Sequence, residues 1–245
     1  MTRADGPDVG SYYDRFWSGE DPAALATHDL RAFENDMLAY AADLLGSLAG
    51  LRVLEVGPGQ GHATLWLAEQ GAEVWAADVS QASLGMVRGR LAAAGQLVRL
   101  VQMRGESLAV AEASVDLVFI KCTLMHADWR QVVREVVRVL RPGGRALFVE
   151  PLRHHPVVAL YRATLSSCKE SRPHYLSWRD FQETGRHFRG ARVRSFYLVS
   201  PGVLALRGTP LWGWLKSPLQ AVDRVLLRLP FLRPFAWYAV GCYER

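Results

Sequence analysis

The chain has 245 residues, half of them hydrophobic and 22% charged, the balance of an ordinary globular protein with a sizeable core. Three isolated cysteines, Cys122, Cys168 and Cys242, argue against a disulfide framework and have no metal-ligand spacing, and no run of 18 apolar residues is available for a transmembrane helix. The formal charge is +5, but only Lys121, Lys169 and Lys216 are lysines, and the arginines are spread along the chain rather than gathered in a stripe, so no nucleic-acid partner is expected.

In chain order, residues 1–10 have no apolar stretch behind a positive start, so they do not read as a signal peptide and a cytoplasmic chain is expected. The aromatic segment Tyr12-Tyr13-Asp14-Arg15-Phe16-Trp17 precedes Pro22–Leu48, which reads as one or two helices. Five apolar runs then read as strands: Leu51–Val56, Glu73–Asp78, Leu97–Met103, Val115–Ile120 and Arg145–Glu150. Helical stretches alternate with them. Gly61–Gln70 carries Ala63, Leu67 and Ala68 on one face and ends at Gly71, and Ser80–Ala94 opens on a serine suited to an N-cap. Asp128–Leu140 has valines at three- and four-residue spacing and stops before Pro142-Gly143-Gly144. Strands alternating with helices imply a doubly wound, mostly parallel sheet. Further on, Ala191–Ser200 and Ala236–Tyr243 read as strands. Between them, Pro201–Pro234 is rich in Leu, Trp and Pro and reads as short helices broken by prolines.

The most informative segment is Val53-Leu54-Glu55-Val56-Gly57-Pro58-Gly59-Gln60-Gly61, a strand running into a glycine-rich turn and a helix. Glycines let the chain turn sharply and let a ligand lie against the backbone, facing the first helical N–H groups. A dinucleotide fingerprint would place its third glycine at position 62, which is His62. Glu55, two residues before the first glycine, would repel a pyrophosphate and attract an ammonium group. Asp78 ends the next strand, where an acid accepts hydrogen bonds from ribose hydroxyls. A cationic amino-acid nucleoside fits this pair better than a phosphate-bearing ligand.

With these residues in view, the sequence resembles the class I S-adenosylmethionine-dependent methyltransferases of the small-molecule group, over at least residues 50–151. Glu55 to Gly61 looks like the family's first motif and Val74 to Ser80 its second. Val115-Asp116-Leu117-Val118 resembles its fourth strand, and Arg138 to Gly144 the helix-to-strand signature before its fifth. The resemblance implies a Rossmann-like fold of seven mostly parallel strands with flanking helices. It implies one domain over 1–245, with an N-terminal helical cap or lid at 1–48 and a cofactor-binding core at 49–151. The acceptor-side half is then 152–245, with a helical insertion near 201–235. The cofactor implied is S-adenosyl-L-methionine, the product S-adenosyl-L-homocysteine, and no metal. By resemblance, Glu55 orients the methionine ammonium, Gly57 and Gly59 underlie the cofactor, Asp78 holds the ribose, Val79 packs on adenine, and Lys121 and Cys122 line the pocket. Where the family commonly has an acid for the adenine amino group, this chain has Arg104-Gly105-Glu106. Either Glu106 takes that task one step late, or backbone groups of Gly105 and Glu106 serve.

The sulfonium methyl is already activated, so positioning and water exclusion dominate, and an oxygen acceptor gains further from a base. His126 is the best placed base, with capping of the next helix as its structural alternative. Tyr13 is expected near the cofactor, with the aromatic start as a lid or a simply packed helix. Tyr12, His28, His126, His154 and Trp212 are the candidate acceptor contacts, and a turn role is the other reading of His154 and His155. The insertion, with Leu211, Trp212, Trp214, Leu215 and Phe231, holds far more apolar material than a connection requires. It reads as the roof of an apolar acceptor pocket, a homodimer interface or a peripheral membrane contact. The function expected is methyl transfer, mainly to oxygen, on a small, fairly apolar natural-product or lipid-like metabolite, the alternatives being transfer to nitrogen or carbon, or a cofactor-binding protein of this fold that transfers no methyl.

Overall fold

A computed structural model of the chain describes residues 9–18, 34–164, 173–206 and 208–245. Seven strands form one sheet: β1 Arg52–Val56, β2 Glu73–Asp78, β3 Arg99–Gln102, β4 Val115–Lys121, β5 Leu140–Pro151, β6 Gly190–Phe196 and β7 Tyr238–Glu244. Their order is β3-β2-β1-β4-β5-β7-β6. Pairs among β1 to β5 are parallel, and β7 runs antiparallel to both β5 and β6. The described helices are α1 Val9–Trp17, α2 Glu34–Leu45, α3 His62–Glu69, α4 Gln81–Ala93, α5 Trp129–Val139, α6 Pro156–Thr164, α7 Trp178–Gly185 and α8 Pro210–Leu226. The fold is thus the Rossmann-like architecture expected from the sequence, with a helical insertion before the last strand.

Period-two alternation along the central strands feeds two separate cores. Leu54, Val118, Ile120, Ala146 and Phe148 join one cluster, which the α5 face of Trp129, Val132, Val133 and Val136 covers. Val53, Leu117, Phe119, Leu147 and Val149 point the other way, onto Met37 and Ala41 of α2 and Leu67 of α3. Three layers result, with the carboxyl ends of the parallel strands at one edge.

Element ends shifted for local reasons. Ser80 caps α4, its Oγ accepting from Ser83 N, and Asp128 caps α5 through Arg130 N and Gln131 N. β3 is shorter than the expected 97–103, because this edge strand pairs with β2 only over four residues, and Leu97 lies exposed. β5 starts at Leu140, which already pairs with Val115, rather than at the expected Arg145. The sequence pattern also left out α6 and α7. In α7 a reciprocal Ser177–Asp180 capping box marks the start.

The insertion differs most from expectation. Rather than short helices broken by prolines, α8 runs 17 residues straight through Pro218. Proline removes the hydrogen bond to the carbonyl four residues earlier, here that of Trp214, whose residue is 80% exposed, so water can take the vacated bond. The inner side of α8, Trp212 and Leu219, packs on the second core. Asp223 is buried, accepting from Val199 N (2.7 Å), Ser200 N (3.2 Å) and Ser200 Oγ (2.5 Å). Of the region read as helical at 22–48, α2 is described; His28 and Cys168 lie outside the described residues.

Candidate functional site

The turn after β1 is built on three left-handed glycines, Gly57 (φ 75°), Gly59 (φ 54°) and Gly61 (φ 75°), a region that side chains other than glycine's enter at a cost. A Cβ on Gly57 would stand 2.1 Å from Thr123 Oγ1, and one on Gly59 3.2 Å from the Trp17 ring. Gly57 N donates to Ala77 O (2.8 Å), locking the turn to the end of β2.

Beside this turn stands Glu55, 2% exposed. Its Oε2 has no hydrogen-bond partner among the described residues. Burial pushes its pKa up to about 7, with the nearby Thr64 hydroxyl, which lies outside hydrogen-bonding geometry, and the Lys121 charge pulling it partly back. A buried carboxylate oxygen with no donor is costly unless a ligand or water meets it. An ammonium group fits that oxygen, and a nucleoside fits the glycine cradle, so these residues suit S-adenosylmethionine.

Asp78, at the end of β2, is also buried, and burial raises its pKa. Its Oδ1 accepts from Ser80 N (2.9 Å) and its Oδ2 from Ser83 Oγ (2.8 Å). The Gly59 and Val79 backbone groups also lower its pKa by hydrogen bonding, so the carboxylate is held in place at the strand end. Val79 follows, half-buried, its carbonyl accepting from Gln102 Nε2 (2.9 Å). Gly105 sits against Val132 and Val56. Glu106 Oε1 accepts from Asp128 N (3.1 Å) at the start of α5, so this carboxylate already serves the helix end, and the acid expected for the adenine amino group is partly engaged elsewhere.

The other wall comes from β4 and β5. Cys122 takes φ 55°, a left-handed position for a non-glycine residue, just past Lys121. It starts the sharp turn into the single 3-10 turn Leu124–His126. Glu150 holds that turn: Oε1 accepts from Thr123 N (2.7 Å) and Leu124 N (2.8 Å). Its Oε2 is buried without a hydrogen-bond partner among the described residues, and burial lifts its pKa to about 7. Sequence reading passed over Glu150 as a strand end. The available signal was an acid, Glu150-Pro151, closing the apolar run Ala146–Val149.

α1 lies across this edge. Asp14 Oδ1 accepts from Ser80 Oγ (2.6 Å) and Ala82 N (3.1 Å), a carboxylate on the positive N-terminal end of α4. Tyr12 is buried, and its ring meets Tyr13 edge-on at 5.0 Å. Tyr13 in turn meets the His126 ring at 5.1 Å. The structure thus gathers Tyr13, Glu55, Gly57, Gly59, Asp78, Lys121, Cys122 and His126 along the carboxyl edge of the sheet, with α1 above them. Asp14 was not singled out from the sequence, because its partner Ser80 lies 66 residues away.

The remaining candidates fall elsewhere. His154 is exposed, whereas its neighbour His155 is buried and structural: Val158 N donates to Nδ1 (3.2 Å), so the proton sits on Nε2 and reaches Leu198 O (2.9 Å). Burial lowers the His155 pKa, which suits a neutral ring. Trp212 is half-buried against the second core on the inner side of α8. No three His, Cys, Asp or Glu side chains gather as a metal site, and no helix is long and apolar enough to cross a membrane, both among the described residues.

Residues 54–148 match a family described as a methyltransferase domain. A demethylmenaquinone methyltransferase of Clavibacter sepedonicus is 34% identical over 146 residues, covering 58% of this chain and 55% of the relative. The chain spans only 28% to 57% of the length of the first curated relatives it matches. Among solved structures, a Haemonchus contortus phosphoethanolamine N-methyltransferase 2 bound to S-adenosylhomocysteine superposes with a TM-score of 0.65 at 14% identity, covering 97% of this chain and 61% of that one. Geranyl diphosphate methyltransferase, in complex with GPP and sinefungin, gives 0.62 at 16% identity, covering 86% and 77%. At such identities the superpositions speak for the fold. Sequence match and fold agree on a methyltransferase domain at residues 54–148, set in a Rossmann-like sheet.

Proposed function

We propose that the chain transfers the methyl group of S-adenosylmethionine to an oxygen of a small, fairly apolar acceptor of the lipid-like or natural-product class. The observation that carries the cofactor half is the donor-less Glu55 Oε2, buried beside a three-glycine cradle. Two relatives whose names point to demethylmenaquinone and geranyl diphosphate support an apolar acceptor.

When bound, S-adenosylmethionine supplies a methyl group already activated by its positive sulfur. The chain's work is to bind, orient and keep dry. Glu55 would accept from the ammonium of the amino-acid moiety, and Asp78 would accept from the ribose hydroxyls. Val79 lies against the adenine. Gly57 and Gly59 admit the ligand to the backbone, and Tyr13 and Trp17 of α1 close the cleft to water. His126 accepts the proton of the acceptor hydroxyl as its oxygen takes the methyl group. Tyr13, edge-on to the imidazole, limits how the ring turns. Glu150 positions His126 by holding Thr123 N and Leu124 N.

Two measurements test the proposal. Calorimetry should show uptake of S-adenosylhomocysteine, and labelled-methyl transfer to a panel of phenols, quinols and carboxylic acids should yield a labelled product, whose analysis tells oxygen from nitrogen or carbon. No uptake by folded protein defeats the cofactor assignment. Uptake without label on any acceptor defeats the transfer assignment.

A further inference from the structure

α8 is amphipathic in an unusual sense. While Trp212, Leu219 and Asp223 face the protein, a second apolar stripe faces water: Leu211, Trp214, Leu215, Val222 and Val225, all exposed. Three- and four-residue spacing, with Pro218 between, places them along one side of the helix. Trp214 is 80% exposed, and Phe231, just beyond the helix, is 68% exposed. α6 meets the Ser200–Leu206 turn, which in turn meets α8, and α6 also leaves Val157 and Leu160 exposed. An exposed apolar stripe of this kind along one helix marks an interaction site.

Its charge selects the partner. Between residues 199 and 235 the single acid is Asp223, which is buried and taken up by Val199 N and Ser200. The same segment carries Arg224 and Arg228, both exposed, and Arg233, whose guanidinium also donates to the Leu227 and Arg228 carbonyls. Among the described residues, Asp36 of α2 reaches Arg224 at 3.9 Å. A second copy docking isologously would set these cations against themselves, with no carboxylate in the segment to pair them. A bilayer surface bearing phosphate headgroups pairs them instead, while tryptophan and the aliphatic stripe enter the interfacial zone.

We infer that the outer face of α8 docks this protein on an anionic lipid surface. Such docking brings the site to an acceptor dissolved in a bilayer, and so deepens the acceptor half of the proposal above.

The test is co-sedimentation of the full chain with vesicles of equimolar phosphatidylglycerol and phosphatidylcholine, beside pure phosphatidylcholine. The protein should sediment with the anionic vesicles, less with the neutral ones, and less as salt rises. The double variant Trp214→Glu, Val225→Glu should lower the partition constant about tenfold or more, with its circular dichroism unchanged because both positions are already exposed. Should that variant misfold, Leu211→Ser with Leu215→Ser is read by the same measure. Sedimentation equilibrium without lipid accompanies the assay. The inference is overturned if anionic vesicles carry down no protein, if the folded variants bind undiminished, or if the chain is a dimer that they split, which would make a second copy the occupant. The vesicle assay counts no methyl groups, so its failure and a failure of transfer are told apart.

Discussion

Replacing Glu55 by glutamine separates the cost of this carboxylate from its use. Its pKa moves from 4.5 in the open chain to about 7 in the folded protein, chiefly because burial disfavours the charged form. A group whose folded pKa is raised contributes stability that is fully present below the unfolded value and is lost as pH climbs through the folded one. That window is pH 4.5 to 7. About 2.5 pKa units at 1.36 kcal/mol each amount to roughly 3 kcal/mol lost by pH 8. Glu55→Gln removes the titration, so in urea unfolding at pH 8 the ligand-free variant should be more stable than the parent by up to about 3 kcal/mol. At pH 5 the difference should shrink to well under half of that. Ligand reverses the order. S-adenosylhomocysteine at a hundred times its Kd should stabilise the parent by about 2.7 kcal/mol, and its affinity should rise from pH 6 to 8 as Glu55 ionises. The glutamine variant should bind far more weakly, with little pH dependence over that range. Equal stability gaps at pH 5 and 8, or unimpaired binding by the variant, would refute the assignment of Glu55 as a buried acid awaiting a cation.

Gly57→Ala must place a methyl 2.1 Å from Thr123 Oγ1 at φ 75°. It should cost about 1–3 kcal/mol of stability in thermal melts and abolish the S-adenosylhomocysteine-induced rise in Tm. His126→Gln should lower methyl transfer to a hydroxyl acceptor by about 10²- to 10⁴-fold while isothermal titration finds cofactor affinity within about twofold of the parent's; a fall below twofold in rate would remove it as the base. Glu150→Leu strands the buried N–H of Leu124 and the half-buried N–H of Thr123, at up to about 1–3 kcal/mol each. Chemical denaturation should show that loss, whereas Glu150→Gln, which keeps an acceptor oxygen, should recover most of it.

The sequence by itself determined the class of the fold and marked the residues that meet at the carboxyl edge of the sheet. Strand-and-helix periodicity, the three glycines, and Glu55 and Asp78 at strand ends are local signals, since each depends on residues within a few positions. Strand three was misjudged at its start and strand five began earlier than expected, because pairing partners decide where a strand stops, and Arg99 and Leu140 meet theirs on β2 and β4. Only the folded chain could reveal that Glu150 holds the turn leading to His126, or that Asp14 seats α1 on Ser80 from 66 residues away. The same holds for His154 and His155. The two are adjacent in sequence, yet one is exposed and the other buried against Leu198. The insertion shows the limit most plainly: its composition announced surplus apolar surface, but which half faces the core and which faces water depends on how α8 rolls against the second core. A helix carries hydrophobic residues without saying what will cover them, and the neighbours that settle it lie far along the chain.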